Sequence, residues 1–271
     1  MSGGPDSLAL LALAVAAGCK ATAVHVDHGI RAGSADEASL VAEAAAGLGA
    51  TFSAVRVEVE PGPDLEARCR AARLGALGPD AALGHTLEDR AETLLLNLVR
   101  GAGLRGLTPL RPGVRHPILD LRRRETEELC KALGLVPFRD PSNADPRFRR
   151  NRVRHEVLPL LDDVAERDVA AVLARTADVL TEDADLLDSL ASEIDATDAR
   201  ALASAPPALA GRAVRRLLEP VADAELHPPD RATIGRVLAV ASGAAVACEV
   251  GRGWTVCRSA QRLEVVRTGD R

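Results

Sequence analysis

Apolar positions change their spacing along the chain, and the changes mark out the elements. Leu8 to Ala17 is apolar nearly all round, as a helix lying on a sheet would be, and Gly18 supplies its stop. Ala21 to Val26 is short, branched and apolar, which predicts a buried strand ending at Asp27. Ser34 to Leu48 follows as a helix, with Ser34 as N-cap and Glu37 three residues on. Thr51 to Val59 then reads as a strand, Asp64 to Leu77 as a helix and Ala81 to Gly84 as another short strand. Such alternation predicts an α/β fold, a parallel sheet flanked by helices on both faces. In Leu87 to Val99 the residues Leu87, Ala91, Leu94, Leu95 and Leu98 form one stripe, so this segment is an amphipathic helix.

Beyond a glycine-rich loop at residues 101–106, a basic helix opens at Arg122-Arg123-Arg124, and residues 139–143 make a turn. A further helix is expected from Arg147 to Arg154, started by Pro146. From about Val164 to Pro220 the chain is helical, alanine-rich and acidic. A last helix follows His227-Pro228-Pro229, and short strands are expected around Val246–Val250, Trp254–Cys257 and Leu263–Val266. The pattern divides the chain into residues 1–162 and a smaller, mainly helical domain at 163–271.

Composition narrows the class of protein. With 271 residues and 47% hydrophobic content the chain can bury a sizeable core. It has neither the roughly 18–20 continuous apolar residues of a membrane span nor the pattern of a secretory signal, so no membrane partner and a cytoplasmic location are expected. Five scattered cysteines with no CxxC pair read as free thiols. Formal net charge is −5, yet residues 100–154 hold thirteen Arg and one Lys against six acidic groups, a local +8 that leaves −13 elsewhere. Such segregation fits either a localised polyanion site or a solvated, ion-paired surface.

The candidate chemistry begins at the first residues. In Ser2-Gly3-Gly4-Pro5-Asp6-Ser7, two glycines let backbone approach an anion, and Asp6 and Ser7 fall where a starting helix has free N–H groups. The alternative is a glycine turn that only starts a helix. No GxxxxGK[ST] loop is present. Asp27 and His28 close the first predicted strand, at the end where open parallel sheets collect their chemistry. His85, Glu88, Asp89 and Glu92 cluster at the start of the amphipathic helix, where carboxylates also serve as ordinary dipole partners. The Arg-rich stretch with Arg149, Arg152 and Arg154 reads either as an RNA-backbone contact or as a domain-joining helix.

Taken together these segments resemble the bacterial tRNA(Ile)-lysidine synthetase family of the PP-loop, or N-type ATP pyrophosphatase, superfamily. The loop has the form SGGxDS, and His25-Val26-Asp27-His28-Gly29-Ile30-Arg31 is similar to that family's HVDHGLR. Its E-x-x-A-R-x-x-R-Y helix corresponds to Glu66 to Leu74, with Cys69 for the Ala and Leu74 for the Tyr, and its GHxxDDxxET to Gly84–Thr93, with Glu88 for the first Asp. A glycine loop, a DPSN turn and the RNxxR segment Arg150–Arg154 also recur.

The resemblance implies ATP-dependent adenylation of the wobble cytidine in an isoleucine tRNA with a CAU anticodon, followed by attack of free L-lysine to give lysidine. It implies that Ser2, Gly3, Gly4, Pro5 and Ser7 hold pyrophosphate and that Asp6 holds Mg²⁺. Asp27, His28 and His85 would lie at the nucleotide, Asp89 and Glu92 would face Mg²⁺ or lysine, and Arg105 would assist the phosphates. Arg149, Arg152 and Arg154 would meet the RNA, and a homodimer stays open. A tRNA thiolase of the same superfamily, an amidating ligase and an inactive RNA-binding relative are the rival readings. One residue precedes Ser2, whereas such a loop is ordinarily fed by the central strand of its sheet; the expectation is therefore a first strand lying upstream of this sequence.

Overall fold

A computed structural model of the chain describes residues 1–27, 34–59, 65–108, 110–138, 140, 143, 145–221 and 229–269. His28 and its neighbours 29–33, and Arg139, Pro141 and Ser142 of the predicted turn, lie outside the described residues. The chain forms two compact units, Met1–Thr181 and Glu182–Arg271.

In the first unit α1 (Pro5–Ala16) starts inside the glycine loop, with Gly4 as N-cap and Pro5 in its first turn, where a missing N–H costs nothing. The strands β1 (Thr22–Asp27) and β2 (Thr51–Arg56) pair in parallel, Thr22 beside Thr51 and Asp27 beside Arg56. Between them runs α2 (Ser34–Leu48), and α3 (Leu65–Leu77) follows. Leu11, Ala23, Val41 and Ala45 form one buried cluster that fastens α1 and α2 to β1. Leu11 and Val41, taken from water, each contribute about 1.5–3 kcal/mol.

Residues 81–84 form no strand. Leu83 N–H donates to the Arg115 carbonyl at 2.7 Å, but the segment has no laddered neighbour, and a strand exists only where it is paired. The helix α4 (Leu87–Val99) has the predicted ends. A short α5 (Leu104–Leu107) starts within the glycine-rich segment 101–106, and α6 (Arg123–Ala132) is the predicted basic helix. The Arg-rich stretch becomes α7 (Arg149–Arg152), which passes through a π-helical turn (Val153–Val157) into α8 (Leu158–Ala165). The long α9 (Val169–Ser192) carries the chain across the boundary between the units. Its first half belongs to the first unit: Ala170 packs with Ala91, Val153 and Leu158, and Asp178 accepts from Arg90 of α4 at 2.5 Å.

The second unit consists of α10 (Ala199–Ser204), α11 (Pro207–Leu218), α12 (Arg231–Ser242) and an antiparallel meander β3 (Ala247–Gly251), β4 (Trp254–Ser259), β5 (Arg262–Arg267). Asp198 and Asp230 cap α10 and α12 through backbone N–H groups. Leu202, Val214, Leu218, Val237, Val240, Val256 and Leu263 form its core. Among the described residues no helix is long and apolar enough to cross a membrane.

Candidate active site

The glycine loop is held on both sides by backbone. Met1 N donates to the Val24 carbonyl of β1, and His25 Nδ1 lies 2.9 Å from the Met1 carbonyl. On the other side Phe138 N–H donates to the Gly3 carbonyl at 2.9 Å. Gly3 has φ +68°, which L side chains rarely adopt, and a Cβ there would lie 3.3 Å from that of Phe138. A third strut comes from Gly84, where a Cβ would lie 2.9 Å from the Asp6 carbonyl oxygen. The glycine before His85 is thus required by the approach of its backbone to the loop. Ser2 is exposed, whereas the Ser7 hydroxyl folds back to the Gly4 carbonyl at 2.9 Å.

Asp6 lies in the first turn of α1. Its Oδ1 accepts from the Thr126 hydroxyl at 2.5 Å, and its Oδ2 lies 3.8 Å from Arg123 Nε. Burial pushes the Asp6 carboxyl above the usual range, opposed by the Thr126 hydrogen bond and the Arg123 charge, while the neighbouring Asp89 adds to the rise.

The face of α4 that the sequence pattern leaves polar is buried. Asp89 is 8% and Glu92 0% exposed, whereas Leu98 of the apolar stripe is 54% exposed. Asp89 has two tasks. Its Oδ2 accepts the Thr86 N–H at 2.9 Å, satisfying a group at the helix start, and its Oδ1 faces Arg123 Nη2 at 3.2 Å and Arg154 Nη2 at 3.5 Å. The helix-start reading and the site reading of Asp89 therefore both hold, one for each oxygen. Burial alone would raise the Asp89 carboxyl, but Arg123 and Arg150 hold it below the usual carboxylate range. Glu92 is enclosed by three guanidinium groups: Arg154 Nε at 2.7 Å, Arg150 Nε at 2.9 Å and Arg123 Nη2 at 3.4 Å. Burial lowers the Arg154 guanidinium, but the hydrogen bond and charge of Glu92 more than offset this and keep it firmly protonated. Glu88 pairs with Arg122 Nη1 at 3.1 Å and accepts the Arg123 N–H at 3.0 Å.

Asp6, Asp89, Glu92 and Arg154 thus share one cluster, completed by Arg123, Arg150 and Thr126. Of those last three, Arg150 opens the RNxxR segment, whereas Arg123 and Thr126 carry no distinguishing mark in the sequence. Arg123 is the middle of three arginines and Arg150 is one of five within eight residues. Part of the basic segment is therefore turned inward against carboxylates of α4. Arg152, by contrast, is exposed and pairs with Glu156 at 2.8 Å, and Arg149 is exposed on α7. Asn151 is buried and donates to the Asp145 carbonyl at 2.9 Å, anchoring the turn before α7. Arg105 is exposed on α5. Asp27 ends β1, its carbonyl accepting Val57 N–H at 2.8 Å, and His85 lies beside His116 with ring centroids 5.0 Å apart.

Residues 1–161 match the PP-loop domain family. A tRNA(Ile)-lysidine synthase of Nocardia farcinica is 47% identical over 234 residues, 80% of this chain and 74% of that protein. The chain belongs to the tRNA(Ile)-lysidine synthase family. Another member, from Mycolicibacterium paratuberculosis, is 44% identical over 253 residues, 90% of this chain and 74% of that one. Against the member from Mycobacterium bovis, 46% identical over 202 residues, the match spans 71% of this chain and 62% of the relative. A solved structure of the U34-tRNA thiolase NcsA from Methanococcus maripaludis superposes with TM-score 0.52 at 20% identity, covering 67% of this chain and 71% of that one. It shows that the PP-loop fold is shared. In this family setting, the glycine loop, the α4 carboxylates and the RNxxR arginine Arg154 lie around one centre.

Proposed function

We propose that this chain uses ATP to adenylate the wobble cytidine of a CAU-anticodon isoleucine tRNA and then joins free L-lysine to it, giving lysidine. The observation that carries the proposal is Asp6, held where the glycine loop runs into α1, inside a buried cluster with Asp89, Glu92, Arg123, Arg150 and Arg154. In the first step the 2-keto oxygen of cytosine attacks the α-phosphorus and pyrophosphate leaves. In the second, the lysine amine forms a bond to the ring carbon, AMP leaves and the amine loses its proton.

In this reading Ser2, Gly3 and Gly4 cradle the leaving pyrophosphate, with the first-turn N–H groups of α1 as donors. The Ser7 hydroxyl, engaged with the Gly4 carbonyl, helps shape the loop. The arginines at Asp6 and Asp89 carry positive charge where phosphate charge develops. Asp6 suits Mg²⁺, because that ion is commonly held by one or two carboxylates together with substrate phosphates, and Asp6 offers a hard oxygen beside the cradle. Mg²⁺ would supply neutralisation of phosphate charge. Asp89 is held below the usual carboxylate range, which makes it a poor proton acceptor, so its contribution toward the lysine ammonium groups is one of charge. Glu92 acts through the three arginines that enclose it. Asp27 approaches the adenosine and His85 the opposite wall, Arg105 assists the phosphates, and the exposed Arg149 and Arg152 meet the RNA backbone. The reaction belongs to the cytoplasm, where tRNA matures.

Pyrophosphate release from ATP tests the proposal, measured with the CAU-anticodon tRNA, lysine and Mg²⁺ at low salt. Release dependent on the tRNA, with lysine incorporated into it, is the expected result. No release under these conditions overturns the reading.

A further inference from the structure

The helix α6 supplies the backing of the loop through one face. Arg123, Thr126 and Cys130 are spaced three and four residues apart, so they lie one above another on the same side. Cys130 is buried with Leu8 and Ala9 of α1, and its Sγ lies 3.4 Å from the Pro5 carbonyl. One turn earlier, Thr126 is fully buried and brings its hydroxyl to 2.5 Å from Asp6 Oδ1. A turn earlier again, Arg123 lies 3.8 Å from Asp6 Oδ2, 3.2 Å from Asp89 and 3.4 Å from Glu92. No recurring motif of the sequence includes Thr126, and the proposed reaction makes no direct use of it.

We propose that Thr126 is a positioning residue, which fixes one oxygen of Asp6 so that the other is presented to the Mg²⁺ of the incoming nucleotide, with Arg123 occupying the cation's side until it arrives. This rests on the Asp6 role proposed above. An Asp side chain has two rotatable bonds, and leaving them free costs affinity when the group must be held still for a metal. The Thr126 hydroxyl has a single proton and two acceptors in reach, and the proton goes to Asp6 Oδ1, the nearer and charged one, rather than to the Arg123 carbonyl at 2.7 Å. With one side of Oδ1 taken up by a buried donor, Oδ2 is the freer oxygen of the carboxylate. Since α6 is fastened to α1 by packing at Cys130, Leu8 and Ala9, the donor and its acceptor cannot drift apart.

Thr126→Val tests this, being equal in volume and lacking the hydroxyl, with Thr126→Ser as the variant that keeps it. Two readouts are taken on the full chain: the Mg²⁺ midpoint and the KM for ATP in pyrophosphate release, and Mn²⁺ binding by electron paramagnetic resonance with a non-cleavable ATP analogue and no tRNA. Thr126→Val is expected to raise the Mg²⁺ midpoint and weaken Mn²⁺ binding by about tenfold or more, the factor a lost hydrogen bond to a charged group carries. Its kcat at saturating Mg²⁺ changes far less, and Thr126→Ser stays within about twofold of wild type. A Thr126→Val protein that folds and binds Mn²⁺ as wild type does overturns the assignment. If Thr126→Val does not fold, the Thr126→Ser arm decides alone, and a midpoint shifted beyond about twofold overturns it. Failure of the lysidine reading shows differently, as no tRNA-dependent release from wild type, and the Mn²⁺ readout does not depend on that activity.

Discussion

Replacing Glu92 with Ala removes the carboxylate around which the cluster is built. Glu92 is 0% exposed and receives Arg154 Nε at 2.7 Å, Arg154 Nη2 at 3.0 Å, Arg150 Nε at 2.9 Å and Arg123 Nη2 at 3.4 Å. Without it, three guanidinium groups are left facing Asp6 and Asp89 alone. Breaking a buried ion pair on one side costs about 3–5 kcal/mol, because the remaining charge stays desolvated without compensation. The arginine side chains retain 21%, 32% and 22% of their exposure, so each can turn partly into water, which favours the lower half of that range. For a unit of this size, about 2–4 °C of Tm accompanies each kcal/mol, so a fall of about 6–16 °C is expected. Differential scanning calorimetry with urea unfolding checks it. Glu92→Gln keeps the shape but turns an amide N–H₂ toward a guanidinium donor, so its loss lies between Ala and wild type. Adding Arg150→Met to Glu92→Ala should restore part of the loss, since one uncompensated cation goes with it. A Glu92→Ala protein that loses less than about 1 kcal/mol would refute the view that this carboxylate organises the three arginines.

Gly84→Ala pushes a Cβ to 2.9 Å from the Asp6 carbonyl oxygen and 3.2 Å from Ser7 N, so the loop must move. Displacement on this scale is expected to lower kcat/KM for ATP by up to about 10²-fold, read in steady-state pyrophosphate release. Gly75→Ala, with nothing within 4 Å, serves as the unaffected control. Asp6→Asn should remove Mg²⁺-dependent release yet raise Tm near neutral pH. Burial lifts the folded-state pKa of Asp6 above its unfolded value, so stability falls as pH rises from the unfolded pKa through the folded one, and the neutral amide escapes that loss. A Tm advantage that vanishes on acidification is the signature to look for. Arg154→Ala should cost about 1.5–3 kcal/mol in urea unfolding, since buried Glu92 loses its shortest donor. Arg152→Ala should leave urea unfolding essentially unchanged, because its pair with Glu156 is exposed and screened by solvent.

Local pattern located most elements, because helix and strand periodicity depend on near neighbours. Leu87–Val99 and Ser34–Leu48 have the ends expected from the local pattern of the sequence. Residues 81–84 show the limit of that reasoning, since a strand needs a partner that composition cannot supply. Charge shows another limit. The run from Arg147 to Arg154 reads as one basic surface, yet Arg150 and Arg154 turn to Glu92 while Arg149 and Arg152 stay outside. Which way each arginine faces depends on the α7 and π-helical turns, which shift the register of the side chains around the axis.

The sequence by itself determined the glycine loop, the family it belongs to and the carboxylates at the start of α4, since all three are written in short contiguous segments. Only the tertiary structure decided that Asp6, Asp89 and Glu92 share one centre, that Arg123, Arg150 and Arg154 balance them, and that Thr126 holds Asp6 from 120 positions away. The physical reason is that a buried charge must find its counter-charge in space, and the folding of α6 and α7 against α1 and α4 selects which of many equivalent arginines supplies it.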